Sequence, residues 1–271
     1  MKNKTRLLAA PYSIWAIGFI LIPLVLVLIY AFTDKSGAFT LEHIIAIKDS
    51  TNMKALILSI GLSLISTVIC LILAYPLAMI LSASNVNQSS FMVFVFILPM
   101  WMNFLLRTLA WQTLLEKTGV INSILNTLNL KPLNIINTPY AIILGMVYNF
   151  LPFMVLPIYN ILIKIDSNVI NAAKDLGANN VQTFVRVIFP LSLPGVISGI
   201  TMVFVPALTT FVISDLLGGS KILLIGNVIE QEFKQANNWH AGSGISFVLM
   251  IFIVISMLIT NKYDKEGGAI L

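Results

Sequence analysis

The sequence predicts an all-α integral membrane protein that crosses the bilayer six times. Three observations predict it. Of the 271 residues, 58% are hydrophobic and only 10% are charged, whereas a soluble domain carries about 25% charged residues to keep its surface wet. Apolar runs long enough for a spanning helix, about 20 residues, recur along the whole chain. Polar and charged residues gather between those runs, where loops outside the hydrocarbon core are expected.

The first run extends from Leu8 to Phe32 behind Lys2, Lys4 and Arg6. It is longer than a signal-peptide core and has no small-residue cleavage site, so it reads as a retained span. The second, Leu56–Leu81, is uncharged and holds Cys70 and Pro76; the third, Phe91–Leu115, carries one charge, Arg107. Gly119–Leu130 is weakly amphipathic and suits a short helix lying along the membrane surface. The fourth run, Tyr140–Ile163, contains Pro152 and Pro157. A polar stretch from Lys164 to Phe189 precedes the fifth, Leu191–Ile213, and the last is Gly244–Ile259, closed by Asn261, Lys262, Tyr263, Asp264 and Lys265. Residues 1–271 thus read as a single transmembrane domain. With the N-terminus inside, the inner segments hold Lys2, Lys4, Arg6, Lys164, Lys174, Arg186, Lys262 and Lys265. The basic leader is the stronger signal, and it puts both termini in the cytoplasm.

Several function classes fall away. The net charge is +5, but the basic residues form no cluster or stripe for nucleic acid, so the excess fits loops facing anionic membrane lipid. One cysteine, Cys70, leaves no disulfide or thiolate metal site within the chain, and His43 and His240 lack metal-ligand spacing. No G-x-x-x-x-G-K-[ST] loop is present to bind ATP by that route. A membrane enzyme needs a nucleophile, metal ligands or paired carboxylates near the membrane. An ion-coupled carrier usually shows buried acids or basic relays in several spans. The enzyme constellation is not found, and the acids and relays of a carrier are nearly absent.

The most informative segment lies between the fourth and fifth runs. Asp166, Ser167 and Asn168 are N-cap types for a short helix, and Gly177 suits its end, where positive φ is needed. Asn179 or Asn180 then caps a second helix, whose Val181, Phe184, Val185 and Ile188 share one face and which Pro190 ends. Two short helices about an elbow make a knob. That knob is either an amphipathic linker on the headgroups or a handle for a partner.

The stretch Asn171-Ala172-Ala173-Lys174-Asp175-Leu176-Gly177-Ala178, followed by Phe184, Ile188, Pro190 and Pro194, resembles the EAA loop of ABC importer permeases. The resemblance implies a type I (MetI-like) six-helix permease bundle and a coupling role for Asn171, Ala172, Ala173, Asp175, Gly177, Ala178 and Phe184. Asn171 stands where that family usually has Glu, so Asp175 is left to carry the electrostatics of the contact. Leu98-Pro99-Met100-Trp101 with Arg107, Ser214-Asp215-Leu216-Leu217-Gly218-Gly219, Leu224-Ile225-Gly226-Asn227-Val228-Ile229, Phe233 and Trp239 are similar to the spermidine/putrescine branch. That similarity implies a second homologous permease subunit, two copies of a cytoplasmic ABC ATPase holding ATP and Mg, and an extracytoplasmic polyamine-binding protein. The chain itself would then be non-catalytic and hold no cofactor.

A polyamine pathway needs carboxylates for ammonium groups and aromatic faces for cation–π contact, about 0.5–2 kcal/mol each. The candidates are Trp101, Asn103, Trp111 and Asp215. Asp215 either serves the pathway or caps an outer turn. Trp101 suits the pore, while Trp111 fits an interfacial belt slightly better. On an ideal helix the two tryptophans point about 80° apart, and Asn103 shares a face with Arg107. Arg107 repels a cation and reads as structural. A permease for another small solute, or an ion-coupled secondary carrier, is the competing function.

Overall fold

The computed structural model describes residues 11–83, 86–219 and 221–268. The basic leader, Leu8 at the start of the first run, and the side chains from Thr260 onward lie outside what is described. Nearly every described element is helical; the only β pairing among them is an isolated bridge, Thr33 to Phe39.

Helix α1 (Pro11–Phe32) runs through one π turn at Ile17–Leu21. Only Ala31 of its second half is buried, so its apolar side chains face away from the chain, toward lipid or another subunit. Helix α2 (Ser50–Ala83) has 34 residues, about 50 Å of helix, well beyond a hydrocarbon core of about 30 Å. It buries Ser59, Ser63, Ser66, Cys70, Ala74 and Ala78. Those small residues recur every three or four positions and let other helices approach closely.

The third run departs from expectation. Helix α3 (Val86–Ile97) passes into a 3-10 turn, Leu98–Trp101, and the chain restarts as α4 (Phe104–Leu115). The two arms meet at 94°. Pro99 supplies no N–H, Met102 is extended, and the Asn103 carboxamide oxygen accepts from the N–H groups of Leu105 (2.9 Å) and Leu106 (3.3 Å). A new helix therefore starts where a straight one was expected. Among the described residues five helices are long and apolar enough to span, and the count reaches six where this bent pair is taken as one span.

Helix α5 (Val120–Thr127) follows, held by Asn122. Its Nδ2 donates to the carbonyls of Glu116 and Leu133, both at 3.0 Å, and its Oδ1 accepts from Leu133 at 2.7 Å. Helix α6 (Pro139–Leu162) is the most buried of the spans, with Ile142, Met146, Met154 and Ile158 inaccessible. After α7 (Ser167–Asp175), α8 (Asn180–Thr209) runs 30 residues and packs along α6. A Cβ on Gly195 would lie 2.8 Å from the Pro157 carbonyl oxygen, and one on Gly199 2.7 Å from the Met154 sulfur. Glycine is what brings these two backbones together.

The chain then forms α9 (Val212–Gly218), α10 (Ile225–Lys234) and α11 (Trp239–Gly268). Contacts divide it into two units, one of residues up to Ala55 with Val228–Ile253, the other of Leu56–Asn227 with residues from Val254. In the second unit Val203, Ala207, Ile213 and Leu217 join α6 in one core. The first unit is built on aromatic rings. Phe32 meets Phe39 and Phe247 at 5.9 and 5.0 Å, and His240 meets Tyr30 edge-on at 5.1 Å. His43 and His240, nearly 200 residues apart in sequence, stack at 5.4 Å. In the adjoining turn, the Ser36 hydroxyl and then the Ala38 N–H hold the Asp34 carboxyl below its usual range.

Replacing Gly195 with alanine is expected to force α6 and α8 apart and to destabilise the protein by about 1–3 kcal/mol. The Pro157 backbone oxygen cannot swing away as a side chain can. Gly61, with open space at its Cβ position, is the control; its alanine variant should unfold at the wild-type temperature in detergent.

Candidate functional site

The knob between the fourth and fifth spans is built by three local devices. The Asp166 carboxylate caps α7, accepting from the Asn168 N–H at 2.9 Å. At the other end Gly177 takes φ +86°, a conformation any Cβ makes strained. The Ala178 N–H then reaches the Ala173 carbonyl at 3.1 Å and the Gly177 N–H that of Lys174 at 2.9 Å, the two bonds of a Schellman end. The elbow closes with a capping box. Asn179 Oδ1 accepts from the Gln182 N–H at 2.8 Å while Gln182 Oε1 accepts from the Asn179 N–H at 3.0 Å. Of the two candidate caps, Asn179 is the one used.

Beyond the elbow the structure corrects the expectation that Pro190 ends the helix. Phe184–Ile188 form a π turn, with the Phe189 N–H bonded to the Phe184 carbonyl, and α8 continues through Pro190. Proline has no N–H for the carbonyl four residues back and its ring crowds that carbonyl; a widened turn relieves both. The same turn splits the expected apolar face. Phe184 and Ile188 pack on the core, whereas Val181 and Val185 are 70% and 54% exposed.

Phe184 also joins the knob to the second span. The Tyr75 ring lies edge-on to Phe184 at 5.6 Å and beside Phe189 at 5.9 Å, and its hydroxyl is 2.6 Å from Ser192 Oγ. The outward side of the knob is different. Asn171, Ala172 and Asp175 are exposed, and Leu176 is 90% exposed. A shallow cavity of about 390 Å³ between Ala173, Ala178, Gln182 and Arg186 lies beside Leu176.

The four proposed pathway residues are not gathered in one cluster. Trp101 sits in the 3-10 turn, 76% exposed and edge-on to Phe94 at 5.8 Å. Trp111 is half-buried on α4 and meets Tyr148 of α6 at 5.2 Å. The bend removes the single-helix geometry expected for the two tryptophans. Asn103 spends its carboxamide oxygen on capping α4. Asp215 lies beyond the fifth span rather than at its end. Thr210 is extended, and α9 begins afresh at Val212.

What holds Asp215 is a residue that sequence reasoning gave no role. Asn227 is 1% exposed; its Nδ2 donates to Asp215 Oδ1 at 2.5 Å and to the Phe211 carbonyl at 3.2 Å. Its Oδ1 accepts from Ser214 Oγ at 2.6 Å and from the Leu224 N–H at 3.0 Å. Ser59 Oγ accepts from the neighbouring Ile225 N–H at 2.8 Å. Asp215 is left exposed, with its position fixed from below. The available signal was Gly226, where a Cβ would lie 2.7 Å from the Thr209 carbonyl oxygen, a close approach that favours glycine.

Residues 74–264 match the family model described as the inner membrane component of binding-protein-dependent transport systems. The chain belongs to this family. It is a multi-pass inner-membrane permease of an ABC importer, a transmembrane component that leaves ATP hydrolysis to a partner. The permease is 38% identical over 259 residues to the spermidine/putrescine transport system permease protein PotB of Haemophilus influenzae, covering 93% of this chain and 91% of that protein. It is 36% identical to PotB of Escherichia coli, over 90% and 92% of the two chains. Its fold matches a chain of a bacterial ABC transporter that imports the acidic polysaccharide alginate, with TM-score 0.77, 17% identity and coverage of 98% and 96%. The MetNI methionine ABC transporter matches with TM-score 0.56 and 15% identity, over 79% of this permease and 95% of that chain.

Asn227→Ala would leave the Leu224 N–H and Ser214 without their shared acceptor, and a loss of about 2–5 kcal/mol is expected. The measurement is thermal unfolding of the purified permease. Gly177→Val is expected to fray α7 at a local cost of about 1 kcal/mol. Faster amide hydrogen exchange over residues 172–178, with α6 unchanged, is the readout.

Proposed function

We propose that this permease is one of two homologous membrane subunits of a polyamine importer. The observation that carries the reading is the identity to two PotB proteins over nine-tenths of the chain, together with a fully formed elbow at Gly177–Gln182. In this reading the chain acts as a single transmembrane domain with both termini and the knob in the cytoplasm. Two ABC ATPase subunits, holding ATP and Mg, dock on the knob, and a polyamine-binding protein delivers cargo from the other side.

The knob suits the coupling role in both directions. Leu176 and Val181 offer apolar surface outward, ringed by Asp175, Asn171 and the small Ala172, Ala173 and Ala178. Asn171 supplies a hydrogen-bonding group where a carboxylate is usual, and Asp175 supplies the charge. Inward, Phe184 presses on Tyr75, so a displacement of α7 is passed by ring contacts into α2 and α8 rather than absorbed by a loose loop.

The cargo is a flexible polycation. Asp215, exposed and hydrogen-bonded by Asn227, offers a negative charge to an ammonium group, and Trp111 and Trp101 offer ring faces. Asn103 serves the pathway indirectly by starting α4 at the right angle. One acid is too few for a whole polyamine, so the second permease subunit supplies the others.

Two measurements test this. Isolated from its native membrane, the chain should bring an ATPase with it, and replacing residues 177–180 by a flexible linker should remove that ATPase; recovery of the intact chain alone would sink the coupling role. Asp215→Asn should lower uptake of labelled spermidine or putrescine about tenfold, one unit charge pair weakened by roughly 1.4 kcal/mol, with assembly intact. Unchanged uptake would remove Asp215 from the pathway, and uptake of neither amine by the wild-type transporter would point to another small solute.

A further inference from the structure

Arg107 is 8% exposed, its Nε is buried, and among the described residues that nitrogen has no hydrogen-bond partner and no carboxylate pairs with the guanidinium. It lines an apolar cavity of about 400 Å³ together with Met92, Val95, Phe96, Tyr148 and Pro152. Phe91, Met92 and Val95 on the rim are 68%, 44% and 50% exposed, so the cavity opens away from the chain. A buried cation without a partner is costly, and breaking such a pair is strongly destabilising. The Nε–H lacks an acceptor, and the charge it shares favours an anionic one.

The position decides which. On α6 (Pro139–Leu162), Tyr148 lies about 14 Å from the first end and Pro152 about 15 Å from the second, at 1.5 Å per residue. That is the depth of the bilayer centre, roughly 15 Å from either headgroup layer, out of reach of a lipid phosphate. A cationic cargo is repelled. The occupant must therefore be apolar around a single acid, which describes a membrane helix carrying Asp or Glu.

We infer that the cavity beside Arg107, at the bend between α3 and α4, receives a side of the second permease subunit, and that an Asp or Glu in one of its spans pairs with Arg107. The inference rests on the two-permease reading above and adds the surface and its chemistry. The apolar rim takes the partner helix and the guanidinium fixes its register, since a helix shifted by one position would leave both charges unpaired in hydrocarbon. The bend itself gains a purpose, because the 94° turn is what opens α3 away from α4 and leaves this cavity between them and α6.

The test uses the assembled transporter, with this chain co-expressed with its second permease subunit and ATPase. A photoreactive benzoylphenylalanine replaces Met92, and native membranes are illuminated. The expected product is a cross-link to a spanning peptide of the second permease that contains Asp or Glu. Arg107→Met should lower that cross-link and the co-purified second permease about tenfold or more, while the amount of this chain in the membrane stays constant and Arg107→Lys restores most of both. A cross-link to phospholipid or to this chain alone, or wild-type recovery with Arg107→Met, overturns the inference while leaving the two-permease reading in place. Failure of any second permease to co-purify with the wild-type chain overturns both.

Discussion

Four breaks or turns among the described residues are tied by an asparagine side chain, and the architecture around them depends on that. Hydrocarbon offers no water to a freed N–H or C=O, so every broken turn must be satisfied from within. Asn103 caps α4 where the third span bends, and Asn122 ties the surface segment after it to the Leu133 strand of backbone. Asn179 closes the elbow of the knob, and Asn227 holds together the start of α10, the start of α9 and Asp215. An amide carries both a donor and an acceptor on a short stem, without a charge to desolvate. It can thus repair a backbone gap in an apolar setting where a carboxylate could do so only at greater cost.

Between these repaired breaks the helices are joined closely. Glycines on α8 bring its backbone against α6, and small residues on α2 do the same along another face. A pair packed at that distance moves as one body, because interiors at native density transmit displacement rather than absorb it. The ring contacts of Tyr75 with Phe184 and Phe189 extend that rigidity from the knob into the second span. Asp215 and Asn227 lie in the same unit, attached to α6 through the packing of α9. Packed contacts run from Phe184 through α8 and α6 to α9.

The surface is as informative as the core. Almost all of α1 and much of α3 expose large apolar side chains, which in a chain of this class face lipid or another subunit. Most of that surface is uniform and lipid satisfies it. The neighbourhood of Arg107 differs because it pairs an apolar rim with a buried charge, and lipid tails satisfy only the first.

The class of the protein, the number of spans and the position of the knob were legible in the sequence, because each rests on composition or on local spacing. Low charge content, runs of about 20 apolar residues and the cap residues from Asp166 to Gln182 act within a few turns of chain and leave their mark there. The bend at Leu98–Trp101, the passage of α8 through Pro190, the restart of the chain at Val212 and the stacking of His43 on His240 were decided only in three dimensions. Each depends on a partner far away in sequence or on which of two permitted local answers the packing selects. Asn227 shows the reason most plainly. The neighbouring Gly226 marks a close backbone approach but does not say what Asn227 binds, and its role exists only because Ser214, Asp215 and Phe211 arrive from elsewhere in the chain to share it.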